Sequence, residues 1–385
     1  MILGIDASNI RGGGGLTHLV ELLKAAEPGE QAFERVIVWG GMPTLSRIED
    51  RPWLQKIHES LLDRALPARA YWQQCKLGRR GQHAGCDVLF VPGGSYGGAF
   101  GPFVTMSQNM LPFERRERGR YGLSATGLRL RMLRRSQERT FAQADGVIFL
   151  TEYARKTITA AVSTSVKRSA VIPHGVSQQF TWEGRKQKRI SEYSHTVPFR
   201  CLYVSSVTMY KHQWKVVEAI ALLRKRGYPI VLDLIGPATS KRGLSLLHRS
   251  LRDADPSGAF VSYCGAVPHA EIAPWYRRAD LFVFASSCEN MPNILLEAMA
   301  AGLPIACSAL GPMPDMLGDH GVYFHPEDPE TIAQAIGTLV DNLMLRTANA
   351  IGAATRARAF SWHRCARETF AFLSYVATDT YAGNT

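Results

Sequence analysis

Short runs of β-branched and apolar residues recur along the whole chain, separated by longer stretches whose apolar residues repeat at helical spacing. This alternation marks βαβ units, because two parallel strands can be joined only by a long crossover, usually a helix. In the first half the pattern predicts strands over 2–6, 36–39, 88–92, 103–107, 146–150 and 170–173. In the second half it predicts them over 200–205, 230–235, 259–263, 281–285, 304–307 and 322–324. Helices are expected over 16–26, 151–161, 214–226, 244–253, 293–301 and 329–340. An α/β chain of two doubly wound, Rossmann-like domains is the economical reading.

Length agrees, since 385 residues are too many for one small module. With 46% hydrophobic and 20% charged residues the chain sits near globular averages, which excludes disordered and fibrous classes. The polar, basic stretch over 178–189 has no clear period and is the best connection in the chain. We therefore expect an N-terminal domain over 1–176, a linker over 177–197 and a C-terminal domain over 198–360. A C-terminal helix over 361–385 would pack back on the N-terminal domain. The seven cysteines (75, 86, 201, 264, 288, 307 and 365) form no C-x-x-C pair and read as reduced thiols. Met1 to Asp6 enters a strand pattern at once, so no secretory signal is expected. Apolar runs such as 279–285 are far shorter than the ~20 residues of a spanning helix, so any membrane contact would be peripheral.

Charge is the unusual part of the composition. Lys and Arg number 45 against 33 Asp and Glu, a net charge of +12, which points to an anionic partner. The excess is concentrated between Phe113 and Arg139, where nine Arg meet three Glu, with Leu123, Leu130, Leu133 and Phe141 spaced as one helical face. The segment Arg115–Arg139 suits anionic lipid headgroups or a lipid diphosphate. A solvated helix face is the plainer reading. Nucleic acid is not expected, because no aromatic residues are interleaved with the arginines.

The most informative segment is 279–305. A buried strand is followed by a short loop carrying Glu289, and Pro292-Asn293 opens a helix in which Glu297 lies one turn in. In a parallel sheet both carboxylates then stand at the carboxyl end of a strand, where open α/β sheets bind ligands. Carboxylates suit sugar hydroxyls and a helix start suits a phosphate. Glu297 alone reads equally as an early-helix acid complementing the helix dipole.

Glu289-x7-Glu297 followed by Ala-Met-Ala-x-Gly-x-Pro resembles the signature of retaining glycosyltransferases of family 4. Three further blocks fall in the order of that family: Val171-Ile-Pro-His-Gly-Val, Tyr203-Val-Ser-Ser-Val-Thr-Met-Tyr-Lys-His and Ser308-Ala-Leu-Gly-Pro-Met-Pro-Asp. The resemblance implies the GT-B fold, two Rossmann-like domains facing across a cleft, with the acceptor on the first and a nucleotide diphosphate sugar on the second. It implies that Lys211 contacts the donor diphosphate, Glu289 the donor sugar and Glu297 the ribose, with Lys211 and Glu289 as the catalytic pair. His212 and the backbone of Asn290, Met291, Pro292, Asn293 and Ile294 would line the donor. Two departures stand out: Asn290-Met291-Pro292 replaces the usual Gly-Phe-Gly, and Ser206 stands where the family has a phosphate-binding Arg.

On the acceptor side, the Gly12–Gly15 run reads as a loop before a helix at Leu16, open to close approach by a phosphate or sugar; a surface loop is the alternative. The resemblance singles out Gly13 and Gly14. A nicotinamide enzyme is disfavoured, because the run is not G-x-G-x-x-G and no acid ends the second strand. Gln108 and Asn109 replace the family's usual His-Asp near the reacting sugar and cannot exchange a proton at neutral pH. His174 faces the cleft or fills a structural role in a turn. Asp253-Ala-Asp255 reads as surface capping and no histidines have metal spacing, so no metal and no cofactor are expected. The overall expectation is a retaining, metal-independent glycosyltransferase, resembling bacterial O-antigen and exopolysaccharide enzymes. Its partners would be a nucleotide sugar and a glycan or polyprenyl-diphosphate-linked acceptor, at the cytoplasmic face of the plasma membrane. A nucleotide-sugar epimerase and a non-catalytic glycan- or nucleotide-binding relative are the alternatives.

Overall fold

The structure, a computed structural model, describes residues 1–162, 166–181 and 186–382. The chain divides into two compact units, Met1–Gly175 with Ser361–Thr385, and Val176–Phe360. Residues 182–185 of the expected linker lie outside the described residues.

The first unit is built on seven parallel strands: β1 (Ile2–Asp6), β2 (Arg35–Gly40), β3 (Leu54–His58), β4 (Val88–Val91), β5 (Phe103–Met106), β6 (Gly146–Phe149) and β7 (Ser169–Val171), in the order β3-β2-β1-β4-β5-β6-β7. The second has six: β8 (Phe199–Val204), β9 (Ile230–Ile235), β10 (Val261–Tyr263), β11 (Leu281–Phe284), β12 (Ile305–Ser308) and β13 (Val322–Phe324), in the order β10-β9-β8-β11-β12-β13. Both are doubly wound, Rossmann-like sheets. Chain order reverses between β1 and β4 and between β8 and β11, which opens a crevice at the carboxyl end of each sheet.

The central strands are largely buried and read as mostly apolar runs, which is why the sequence predicts them to within two residues. β3 escaped notice because it is an edge strand, with Gln55 and Lys56 breaking the apolar pattern. Two other expectations are corrected. The helix after β1 spans Gly13–Lys24, so Gly13 to Gly15 form its first turn rather than a loop. Leu123 is not on the buried helical face: the Ala125–Gln143 helix starts after it, capped by Ser124, and Leu123 is 91% exposed. Leu130, Gln137, Thr140 and Phe141 face inward instead.

The stretch read as a linker is docked on the second unit. Phe180 is buried against the rings of His269 and Tyr276, and the Tyr193 hydroxyl donates to Asp280 at 2.8 Å. Two aromatic anchors in a polar sequence leave no periodic trace. All seven cysteines are unbridged.

The Trp362–Ala382 helix belongs to the first unit. Phe370 meets Phe33 edge-on at 6.0 Å, and Phe372 and Val376 pack where a side chain at Gly146 would collide with them. Gly175 is required for a similar reason, since a Cβ there would strike the backbone of Trp362. Trp362 also covers a buried histidine pair. His18 and His174 approach Nδ1 to Nδ1 at 2.8 Å, with the indole 5.8 and 5.6 Å from their rings. One Nδ1 must donate and the other accept, so at least one ring is neutral.

Burial lowers the pKa of His18 to about 4, and burial with the neighbouring His18 lowers that of His174 well below its usual value. Between pH 6.5 and 4 the unfolded chain therefore binds protons that the folded pair does not, and stability falls as pH falls through that window. His18 alone should account for about 3 kcal/mol at the acid end. Thermal unfolding followed across this range should show an acid-dependent loss that His18→Leu reduces; identical pH profiles for the two proteins would refute the assignment.

Candidate active site

In the second unit the chain leaves β8 through the loop 205–212, in which Lys211 is the one charged residue, and enters the Gln213–Lys225 helix. His212 turns the chain in the left-handed region, at φ 49°. The Tyr203 hydroxyl, rooted in β8, donates to the Lys211 carbonyl at 2.5 Å and fixes the base of that side chain. Gln213 donates back to the Ser206 carbonyl at 3.0 Å.

The neighbouring strand β11 delivers the second half of the site. The Ser287 backbone amide donates to the Tyr210 carbonyl at 2.9 Å, and the Ser287 hydroxyl lies 2.8 Å from His212 Nε2. The two loops on either side of the strand-order reversal are thereby joined. Across the join, Lys211 Nζ pairs with Glu289 Oε1 and lies 4.9 Å from the centre of the Phe284 ring. Both side chains are largely buried, at 8% and 13% exposure, so the pair is poorly screened.

Glu297 is held as firmly. The Asn293–Ala300 helix puts it one turn in, where Oε2 accepts from the Tyr276 hydroxyl at 2.9 Å and Oε1 lies 3.3 Å from His269 Nε2. Burial, together with the adjacent carboxylate, pushes the Tyr276 phenol well above its usual pKa, so it stays a donor. Asn290, Met291 and Pro292 are buried in the connecting loop. Tyr276 also donates to the Ile294 carbonyl at 3.2 Å, and the Asn293 side-chain oxygen is buried without a hydrogen-bond partner.

Thus Lys211 is joined to Glu289, and His212 to Ser287, across the strand-order reversal, while Glu297 stands in the helix that follows the loop of Glu289 to Pro292. Tyr203, Tyr276, His269 and Ser287, which fix them, carried no signal in the sequence, because each acts across a distance of many residues. Asp255 is buried and accepts from the amides of Ala259, Phe260 and Val261 at 2.8–2.9 Å, so this carboxylate closes a turn.

In the first unit, side chains added at Gly13 or Gly14 would meet nothing within 4 Å, whereas one at Gly15 would reach Gln108 Oε1. The glycine run and Gln108 are therefore neighbours. Asn109 accepts from the Leu111 amide at 3.0 Å and shapes a turn, and His174 is buried against His18.

Residues 198–342, which contain all of this crevice's residues, match the family described as glycosyl transferases group 1. They form a glycosyl transferases group 1 domain. The chain is also similar to the O-antigen chain mannosyltransferase B of Escherichia coli, 29% identical over 172 residues, or 44% of each chain. The chain thus spans less than half the length of that relative. Among solved structures, sucrose-phosphate synthase from Thermosynechococcus elongatus superposes with a TM-score of 0.75 at 16% identity, over 100% of both chains. HepE of Anabaena, solved with UDP-glucose, gives 0.71 at 14%, also over 100% of both. The fold is GT-B, with two Rossmann-like domains.

The ion pair can be tested without any ligand. Lys211→Met or Glu289→Gln alone strands a buried partner and should cost about 3 kcal/mol or more of stability. The double variant should cost less than the sum, with a coupling of roughly 1 to 3 kcal/mol in a denaturation cycle; strict additivity would show that the two groups do not interact.

Proposed function

We propose that this chain is a retaining, metal-independent glycosyltransferase that moves a sugar from a nucleotide diphosphate sugar to a hydroxyl of a glycan or lipid-linked glycan, in the synthesis of bacterial cell-surface polysaccharide. The observation that carries the reading is the Lys211–Glu289 ion pair across the strand-order reversal, with Glu297 in the helix that follows, in a segment that matches the group 1 family. Lys211 is a compact cation suited to charge developing on a departing diphosphate. Glu289 accepts from donor sugar hydroxyls and Glu297 from the ribose, with the amides of Asn290, Met291, Asn293 and Ile294 facing sugar and phosphate. The departing phosphate takes the acceptor proton on the same face, so no side-chain base is required at Gln108 or Asn109. The O-antigen relative and the neighbour solved with UDP-glucose support the donor and product classes.

A saturating nucleotide sugar should stabilise the protein by roughly 3 to 4 kcal/mol in a thermal-shift screen. Lys211→Ala and Glu289→Gln should each lower kcat by about 100- to 1000-fold while remaining folded. Epimer formation from donor alone would make the protein an epimerase, and binding without any transfer would make it a non-catalytic relative.

The same reading places the protein at the cytoplasmic face of the plasma membrane through Arg115–Arg139. Leu128 and Met132 are 57% and 64% exposed on the Ala125–Gln143 helix, with Arg131, Arg135 and Arg139 exposed beside them and free of ion pairs among the described residues. This combination suits an anionic lipid surface, at about 1 kcal/mol per arginine. Replacing Arg131, Arg135 and Arg139 by Gln should weaken binding to phosphatidylglycerol vesicles roughly 100-fold. Equal binding to neutral phosphatidylcholine vesicles would overturn the proposal.

A further inference from the structure

The short turn near the start of the second unit sends one side chain inward. Gln178–Phe180 form a single 3-10 turn, closed by the Phe180 amide on the Ser177 carbonyl at 3.1 Å and the Thr181 amide on the Gln178 carbonyl at 2.9 Å. Gln178 and Gln179 are exposed, whereas Phe180 is 3% exposed. Burial of so large an apolar ring anchors the turn.

The ring lies on two side chains of the candidate site. Phe180 meets the His269 ring at 5.4 Å and 69°, and the Tyr276 ring at 5.6 Å and 81°. Both contacts are edge-on, the arrangement in which the positive edge of one ring meets the negative face of another. Tyr276 also lies 5.7 Å from Phe282 of β11, so its ring touches both the turn and the sheet.

Those two side chains are the partners of Glu297. Tyr276 directs its hydroxyl to Oε2 at 2.9 Å, and His269 Nε2 stands 3.3 Å from Oε1. Each carboxylate oxygen thus has a protein partner, and an ionised carboxylate oxygen has capacity for a further hydrogen bond. The two partners are held differently. Tyr276 is buried in the Ala273–Arg278 helix, whereas His269 begins the three-residue turn His269–Glu271 and its side chain is 53% exposed. An exposed side chain on a single turn keeps its orientation only where something packs on it, and Phe180 packs on this one. One ring from a distant segment therefore braces the partners of both carboxylate oxygens.

We propose that Phe180 is a positioning residue for nucleotide recognition: by packing on His269 and Tyr276 it holds the Glu297 carboxylate in the orientation that accepts from the ribose hydroxyls of the donor. The ribose half of this statement rests on the glycosyl-transfer reading, whereas the brace from Phe180 to Glu297 does not. Because Phe180 acts through other side chains and on one carboxylate, its loss should appear in recognition of the ribose hydroxyls and not in binding of the rest of the nucleotide.

The test is calorimetric titration of the full chain with UDP, GDP and ADP, each compared with its 2′,3′-dideoxy counterpart. The tightest binder should lose about 10-fold or more in affinity when its ribose hydroxyls are absent. In Phe180→Leu that ratio should fall to about 3-fold or less, with affinity for the dideoxy form unchanged within about 2-fold. Phe180→Met should give the same result where the leucine variant does not fold, and Phe180→Tyr, which keeps the ring, should restore the original ratio. Tyr276→Phe, which keeps the packing but removes a donor to Glu297, should lower the ratio, and combined with Phe180→Leu it should cost less than the sum of the two. An unchanged ratio in folded Phe180→Leu or Phe180→Met, or strict additivity of the pair, would overturn the brace alone. Nucleotide binding without any ribose preference in the unaltered protein would overturn the role of Glu297 and this inference with it, leaving the donor reading standing. Failure of all three nucleotides to bind would overturn the donor reading itself.

Discussion

A parallel sheet sends every strand out at the same edge, and where the strand order reverses, two neighbouring loops must diverge to opposite faces. The donor site proposed for this chain depends on that constraint. In the second unit the reversal between β8 and β11 brings Lys211 and Glu289, 78 residues apart in the chain, into an ion pair. In the first unit the reversal between β1 and β4 leaves the loop carrying Asn9 and Arg11 at the carboxyl edge, where a neighbouring helix can reach it.

The two crevices are held by different physics. In the second unit the polar groups are largely paired with one another: Lys211 with Glu289, Glu297 with Tyr276 and His269, His212 with Ser287. Such a site is preorganised, and in the reaction proposed above an incoming diphosphate would exchange one partner of Lys211 for another. In that proposal Glu289, released from the cation, would accept from sugar hydroxyls. In the first unit the backbone is equally well fixed, by Asp6 and Gln73 and by Arg69 on the Ser8 carbonyl.

Most of the fold was legible in the sequence, because buried parallel strands must be uninterrupted apolar runs and crossover helices must be amphipathic. What was missed is half-exposed. β3 carries Lys56 at a sheet edge, and the region 177–197 hides Phe180 and Tyr193 in a polar stretch that looked unattached. The Gly12–Gly15 run was read as a loop since glycine disfavours helix interiors, yet at a first turn, with open space beside Gly13 and Gly14, that cost is small. Leu123 fitted a helical period that the chain does not follow, because Ser124 caps the helix one residue later.

The site was legible in part. The spacing of Glu289 and Glu297 around a strand end, with a lysine after an earlier strand, is local and survives in the sequence. By itself the sequence determined the alternation of strand and helix, the identity of the group 1 segment and the position of its acids and its lysine. Only the tertiary structure decided which of them meet, that Tyr203, Tyr276, His269 and Ser287 hold them, that His174 is buried against His18, and that Arg69 leans on the β1 loop. The physical reason is range. Periodicity and motif spacing record what neighbours in the chain require, whereas hydrogen bonds and ion pairs between residues far apart in sequence exist only once the sheets have assembled.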